Sequence, residues 1–170
     1  MAQWNLDASH SEVQFKVKHM VISTVTGSFD QFTATAESIA EDFSDAKFAF
    51  TADVASINTK NNDRDGHLKS DDFFSAEQFP QIKFESTTGI VDGKISGEIE
   101  IKGTKQAIVL SADFGGVIVD PWGNTRVGFE FEGDLNRKDF GLSWTATTEA
   151  GGLVVSDKVK LIVNLEFVQA

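Results

Sequence analysis

The chain has 170 residues with Lys+Arg 15 against Asp+Glu 26, so its formal net charge is −11 at pH 7. This length suits one domain over residues 1–170, and 41% hydrophobic with 24% charged residues is typical of a folded chain rather than a disordered one. The acidic balance argues against nucleic acid or anionic membranes as partners, and the absence of Cys excludes disulfides, thiolate catalysis and Cys-based metal sites.

The sequence contains no segment typical of membrane insertion or export. The longest stretch without formal charge, residues 19–29, is much shorter than the ~18 apolar residues that a spanning helix needs. The first residues lack a basic segment followed by an apolar one, so no secretory signal is predicted. We therefore expect a cytoplasmic protein with no integral membrane segment, or a periplasmic one if a leader has been removed.

Apolar and polar residues alternate with a period of two along most of the chain, which predicts half-buried strands. About eight strands are predicted, at residues 13–18, 25–33, 48–54, 82–84, 95–102, 108–114, 127–135 and 158–167. The alternation is least regular in the predicted strand at residues 25–33.

Short turns between the later strands predict antiparallel order. Asp92-Gly93 is typical of a two-residue type I′ hairpin, and turns are also expected at residues 103–106 and 120–124. Eight strands that each have one apolar face favour closure into a barrel, because closure removes unpaired edges. The predicted fold class is all-β, an eight-stranded antiparallel β-barrel with one or two short helical segments.

Two segments lack the alternation. Residues 56–79 are too long for a structureless connection, and helix starts are predicted at Asn61 and at Ser75, where Ser-x-x-Gln has capping-box spacing. Residues 136–152, which include Trp144, are predicted to form a long covering loop.

The aromatic composition leaves two interpretations of the interior open. The chain has Phe 15 and Trp 3 but no Tyr, so large apolar side chains come without hydroxyl groups that need partners. This pattern fits an ordinary packed core, and it also fits a dry apolar cavity.

Catalytic and metal-binding motifs are weak. The His residues are His10, His19 and His67; the first two have opposite strand parity, so we predict no metal site, and His19 is interpreted as a hydrogen-bonded residue at the core edge. No G-x-S-x-G elbow or phosphate loop is present, and no cofactor is predicted. The acidic pairs near Asp63 and Asp71 are typical of a solvated surface.

Several spaced motifs together resemble the YceI-like family, and the resemblance covers essentially the whole chain. The matching residues are Trp4, Leu6, Asp7, His10, Ser11, Val13, Phe15, Val17, His19, Gly27, Phe29, Phe32, Ser56-Ile57-Asn58-Thr59, Arg64-Asp65, His67-Leu68, Ser70, Asp72-Phe73-Phe74, Phe79-Pro80, Ile82, Phe84, Ser86, Asn136-Arg137 and Asp139-Phe140-Gly141. One departure is Gly103-Thr104-Lys105, which lacks the residue that the family usually has between Gly and Thr, so a shorter hairpin turn is expected there.

The resemblance implies a lipocalin-like barrel with a long apolar tunnel that binds polyisoprenoid or similar amphiphilic chains, and it implies no catalytic residues. Members of the family are commonly dimers, so a homodimer is a possible assembly, through strand edges or a patch at the barrel mouth. The expected partner is an isoprenoid or long-chain lipid, which the protein would bind, store or transport, and nucleic acid is not expected.

The candidate ligand-binding residues follow from strand parity and from the apolar side of residues 56–79. The inward-parity set is Phe15, Val17, Phe48, Phe50, Phe84, Ile99, Phe114, Phe129, Phe131, Leu161 and Val163. Leu68, Phe73 and Phe74 are expected to cover one opening, and Arg64 and His67 to form a polar rim near a head group.

Two alternatives remain open from the sequence. One is an enzyme that acts on a lipid head group with His67 or Asp65 as acid–base residue. The other is a ligand-free interaction module whose barrel is filled by side chains.

Overall fold

The computed structural model describes residues 2–19, 23–38, 43–71, 73–142 and 155–170. Within these ranges eleven strands form one antiparallel sheet. The strands are β1 (Ala2–Leu6), β2 (Glu12–His19), β3 (Ser23–Phe29), β4 (Phe32–Ser38), β5 (Lys47–Asp53), β6 (Ile57–Asn58), β7 (Gln81–Ser86), β8 (Lys94–Ile101), β9 (Thr104–Val119), β10 (Thr125–Asn136) and β11 (Val155–Gln169). The helix α1 (Asn62–Lys69) precedes β7.

The strands occupy eight positions around a closed barrel, which confirms the predicted fold class. β1 and β2 both pair with β11 and together occupy one position in the barrel. β3 pairs with β2 and β4 pairs with β1, so β3 and β4 together occupy the next position. β5 and β6 share the third position in the same manner, since β5 pairs with β4 and β6 pairs with β3. β7 follows β5, and each strand from β7 to β11 pairs with the next one in the chain. The pairing of β11 with both β1 and β2 closes the sheet.

The predicted hairpin turns are confirmed at two places and shifted at the third. Asp92 and Gly93 have φ of 53° and 72°, as a type I′ turn requires. Asp120 accepts backbone N–H groups from Trp122 and Asn124 at 2.9 Å in the predicted turn between β9 and β10. The turn between β8 and β9 lies earlier than predicted and contains Lys102–Gly103, both with positive φ, because Thr104 already belongs to β9.

Of the two predicted helix starts, one is correct. The Asn61 side chain accepts the backbone N–H of Arg64 at 3.0 Å and caps α1. The start at Ser75 is wrong: residues 75–79 make a single turn, in which the Phe79 N–H bonds the Ser75 carbonyl at 2.8 Å. The Ser75 hydroxyl donates to Asp71 at 2.7 Å instead of capping a helix, and Ser75 has a φ of +50°.

Some predictions fall on residues outside the described ranges. The covering loop is described only up to residue 142, where Arg137–Phe140 form a 3-10 turn, so Trp144 lies outside. Asp72 and the side chain of His19 also lie outside.

One end of the barrel interior is filled by an aromatic cluster. Its members are Trp4, Phe43, Phe48, Phe114, Phe129, Phe131 and Phe167. Phe129 lies at the centre, with its ring centroid 4.9 Å from Phe43 and 5.0 Å from Phe48. Phe43 comes from the connection between β4 and β5 and is 1% exposed, so this connection closes that end of the barrel with a side chain.

An ion-pair network lies on the outer surface of the barrel at the same end and connects β10, β11 and the two turns next to them. Arg126 on β10 donates from Nη1 to Asp7 at 2.8 Å and to Glu166 at 3.1 Å, and from Nε to Asp120 at 2.7 Å. His10 Nδ1 lies 2.8 Å from Asp7. Asp7, His10 and Glu166 place potential metal-ligand atoms within 4.8 Å of one another, but the Arg126 guanidinium already neutralises two of these carboxylates.

The network shifts the protonation of its members. Hydrogen bonds from Ser9, His10 and Arg126 hold the pKa of Asp7 well below its usual range, and the hydrogen bond from Arg126 lowers the pKa of Asp120 to about 2. The hydrogen bond to Asp7 raises the pKa of His10 above its usual 6.5. The stabilisation from His10 is therefore complete below pH 6.5 and is lost as the pH rises through the folded-state pKa.

Replacing Phe129 tests whether the aromatic cluster stabilises the closed end. We expect Phe129→Ala to lower the free energy of unfolding by about 3–5 kcal/mol, because a cavity remains among the rings. Phe15→Ala is the matched control, since Phe15 borders space that is already empty and loses mainly the transfer term of about 1.5–3 kcal/mol. Urea unfolding measures the free energy of unfolding of both variants. A larger loss for Phe15→Ala than for Phe129→Ala would contradict the interpretation that one end of the barrel is filled and the other is hollow.

Titration of His10 tests the ion-pair network. We expect Asp7→Asn to lower the pKa of His10, because the hydrogen bond and the charge of Asp7 both favour the imidazolium. Arg126→Gln is expected to raise the same pKa, because the guanidinium opposes that charge. NMR of the His10 ring protons, assigned with His10→Gln, follows both changes, and equal values in the three proteins would contradict the network.

Candidate functional site

An apolar cavity of about 80 Å³ lies inside the barrel at the end opposite the aromatic cluster. Among the residues that the structure describes, it is lined by sixteen apolar residues and one charged residue, Arg137. The lining residues are Val13, Phe15, Val17, Phe29, Phe50, Ala52, Leu68, Phe73, Phe74, Ile82, Ile99, Ile101, Leu135, Arg137, Leu142, Val159 and Leu161. The wall thus offers shape and apolar surface, with little opportunity for directed polar contacts.

Strand pairing explains how the wall is built. Phe15 on β2 pairs in register with Leu161 on β11, and Val17 pairs with Val159. Because side chains of a strand alternate between faces, these inward residues form a continuous strip across two strands. The other strands contribute similar inward rows, so the cavity wall follows from period-two alternation and closure.

The predicted ligand-binding residues divide between the cavity and the packed core. Eight of them line the cavity: Phe15, Val17, Phe50, Leu68, Phe73, Phe74, Ile99 and Leu161. Phe48, Phe114, Phe129 and Phe131 belong to the aromatic cluster. Phe84 stacks on Phe50 with centroids 5.4 Å apart, and Val163 is buried at 1% exposure. The apolar cavity is therefore shorter than the long tunnel that the family resemblance implies.

Nine lining residues are absent from the predicted set. Seven of these lie on predicted strands or at their margins with the inward parity: Val13, Phe29, Ala52, Ile82, Ile101, Leu135 and Val159. Arg137 and Leu142 lie in and after the turn that follows β10, where alternation gives no signal.

The helix α1 is fastened to the barrel by polar contacts around Thr59. Asp65 Oδ1 accepts the Thr59 N–H at 2.9 Å and its hydroxyl at 2.5 Å, and both residues are buried. Arg64 donates from Nε to the Thr59 hydroxyl at 2.8 Å and from Nη2 to the Thr59 carbonyl at 2.6 Å. Four hydrogen bonds of Arg64 and Asp65 therefore join the first turn of the helix to Thr59, the residue that follows β6.

The segment that follows this fastening carries the predicted cover into the cavity. Leu68 is the one large apolar residue of α1, and Phe73 and Phe74 come from the turn after it. The Phe74 ring meets Phe29 edge-on, with centroids 6.2 Å apart. We call α1 together with residues 70–71 and 73–79 the lid, because they bring three side chains into the cavity from outside the barrel strands.

The predicted polar rim does not line the cavity. The Arg64 guanidinium bonds to Thr59, and the His67 ring packs edge-on against Phe73 with centroids 5.0 Å apart. Asp65, the alternative acid–base residue, accepts two hydrogen bonds from Thr59 and is likewise outside the lining.

Arg137 is the buried cation at the margin of the cavity, with 2% exposure. Its Nε donates to the Ser156 carbonyl at 3.0 Å and its Nη1 to the Leu142 carbonyl at 2.6 Å, while Asp157 lies 3.6 Å away. Burial lowers the pKa of Arg137, and the charge of Asp157 opposes that change. These bonds join the turn after β10 to the beginning of β11, so Arg137 positions one side of the cavity.

In the part of the chain that the structure describes, no helix has the length and hydropathy needed to span a membrane.

The comparisons with known proteins agree with this architecture. A UPF0312 protein of Staphylococcus aureus (strain N315) is 38% identical over 168 residues, which cover 98% of each chain. The crystal structure of the Campylobacter jejuni YceI protein superposes with a TM-score of 0.78 at 33% identity, over 97% of this chain and 96% of that one. A polyisoprenoid binding domain from Saccharophagus degradans, implicated in plant cell wall breakdown, shares the fold with a TM-score of 0.74 at 17% identity, over 98% of each chain.

The model of the YceI-like domain matches residues 4–167, which is nearly the whole chain. Together with the barrel, this match confirms the resemblance seen in the sequence motifs. The chain belongs to the YceI-like family.

Proposed function

We propose that this protein binds an isoprenoid or a similar long-chain amphiphile, with the apolar chain in the cavity, and that it stores or carries this lipid. The observation that carries the proposal is a cavity inside a closed barrel, in whose wall the described part of the chain places sixteen apolar residues and one buried cation. The naming of the Saccharophagus degradans neighbour as a polyisoprenoid binding domain supports the choice of ligand class.

Burial of an apolar chain supplies the driving force. Each buried methylene contributes about 0.8 kcal/mol, so a five-carbon isoprenoid unit contributes roughly 3–4 kcal/mol of gross burial. Ordering of the ligand and the loss of its translational freedom offset much of this gain. With so few polar groups in the wall, selectivity is expected to follow the width and length of the chain.

The size of the cavity implies that the wall moves when a chain enters. Its volume of about 80 Å³ is about half that of an engineered apolar cavity of ~150 Å³ that holds benzene. The lid is the natural element to move, because its first turn is fastened by hydrogen bonds to Thr59 while Leu68, Phe73 and Phe74 supply its apolar contacts with the barrel interior. Outward movement of these side chains lengthens the cavity without breaking strand pairs.

Analysis of bound lipid tests the proposal directly. We expect organic extracts of purified protein to contain an apolar chain compound in a constant ratio to protein, as measured by mass spectrometry. Protein stripped of lipid is expected to take up added polyprenol, because burial of the chain is favourable. Empty extracts combined with no uptake of polyprenol would rule out the proposed function.

Loosening the lid is expected to change the kinetics of binding. Asp65→Ala removes the acceptor for two buried Thr59 donors, and bonds to a charged group contribute ~1.5–3 kcal/mol. We therefore expect polyprenol to dissociate about tenfold faster or more, and the amides of residues 59–69 to exchange faster with deuterium.

Asp63→Ala is the matched control, since Asp63 lies exposed in the same first turn of α1. Like Asp65, Asp63 places a negative charge at the start of the helix, but it makes no hydrogen bond to Thr59 among those described. Equal dissociation rates for the two variants would show that the Thr59 contacts do not hold the lid.

A further inference from the structure

Phe15 on β2 lies across a glycine of the neighbouring strand. It pairs in register with Gly27 on β3. A Cβ atom added at Gly27 would stand 2.2 Å from Cζ and 2.5 Å from Cε1 of the Phe15 ring. Real Cβ atoms do not approach neighbours so closely, so the ring occupies the space that a side chain at position 27 would need.

A larger residue at position 27 is opposed by the Phe15 ring and not by the backbone conformation, so a Cβ there requires the ring to shift. Gly27 is not among the residues with positive φ, so its backbone is open to any residue type. By contrast, Gly128 on β10 has nothing within 4 Å of an added Cβ. Alanine at Gly128 is therefore a change of the same chemistry without the collision.

The position of the Phe15 ring determines how much of the interior stays empty. Phe15 lines the cavity together with Phe29, whose ring centroid is 5.7 Å away, and with Leu161, its register partner on β11. Phe29 and Leu161 are buried, with exposures of 4% and 7%, and leave the ring little room on their sides. Phe15 borders the cavity, so a ring displaced from Gly27 can move into that empty space.

We propose that Gly27 is a specificity-determining residue: by giving the Phe15 ring a place against the wall, it sets a cavity width that admits methyl-branched, isoprenoid-type chains. This inference rests on the proposed function and deepens it. An unbranched chain is narrower along its whole length, whereas an isoprenoid chain has a methyl branch in every unit. The width left by Phe15 therefore matters more for the branched chain than for the straight one.

The test compares two alcohols on lipid-stripped protein. Farnesol carries methyl branches, and 1-dodecanol has the same head group and the same number of main-chain carbons without them. Dissociation constants are measured by displacement of the fluorescent probe N-phenyl-1-naphthylamine. We expect Gly27→Ala to weaken farnesol about tenfold or more, as expected for a methyl group that no longer fits an apolar pocket, and to weaken 1-dodecanol less than about threefold.

Three further variants make the outcome specific. Gly128→Ala is expected to leave both dissociation constants unchanged. Gly27→Ala/Phe15→Leu is expected to restore farnesol binding, because the smaller side chain removes the collision. Phe15→Trp, which keeps Gly27 but places a larger ring over it, is expected to reproduce the selective loss of farnesol, and it serves as the test if Gly27→Ala does not fold.

The outcomes separate this inference from the proposed function. Equal weakening of both alcohols in Gly27→Ala and Phe15→Trp, or no weakening of farnesol in either, overturns the role of Gly27 while lipid binding stands. Failure of the unaltered protein to bind either alcohol or added polyprenol overturns the proposed function itself. Selective loss of farnesol with rescue by Phe15→Leu supports both.

Discussion

The pairing of β11 with both β1 and β2 is the contact on which the rest of this structure depends. It joins the last strand to the first ones, leaves the barrel without an open edge there, and turns a long antiparallel sheet into a closed wall. Only in a closed wall do the inward rows of all strands face one another and exclude water. The aromatic cluster and the cavity are two ways of filling the same enclosed space, one with side chains and the other with a proposed ligand.

What separates the filled end from the hollow one is where the large rings are placed. At the filled end Phe43 enters from a connection and meets Phe129 near the middle of the interior. At the hollow end Phe15 lies over Gly27, against the wall, and leaves the middle open. A high Phe content is therefore compatible with both interpretations that the composition left open, and the barrel uses both. At the hollow end, the position of the Phe15 ring depends on the glycine in the neighbouring strand.

Much of the fold was predictable because alternation, turn residues and closure are properties of short segments. The cavity was only partly predictable, because alternation assigns a residue to a face but not to a height along the barrel. Phe129 and Leu135 share the inward face of β10, yet Phe129 belongs to the aromatic cluster and Leu135 lines the cavity. Phe43 and Arg137 lie outside alternating segments, so no periodic signal marked them. The predicted helix start at Ser75 was wrong because the Ser-x-x-Gln spacing does not show which partner the serine takes. Its hydroxyl donates to Asp71 and does not cap a following helix.

The order of the strands also has a consequence for biosynthesis. From β7 to β11 neighbouring strands are consecutive along the chain, so these hairpins can form early as the polypeptide leaves the ribosome. The pairing of β11 with the first strands joins distant parts of the sequence, such as Leu6 and Phe167, and it cannot form until β11 has been synthesised. Until then the Phe-rich inner surface stays exposed to water, and exposed apolar surface of this kind favours aggregation of the unfinished barrel.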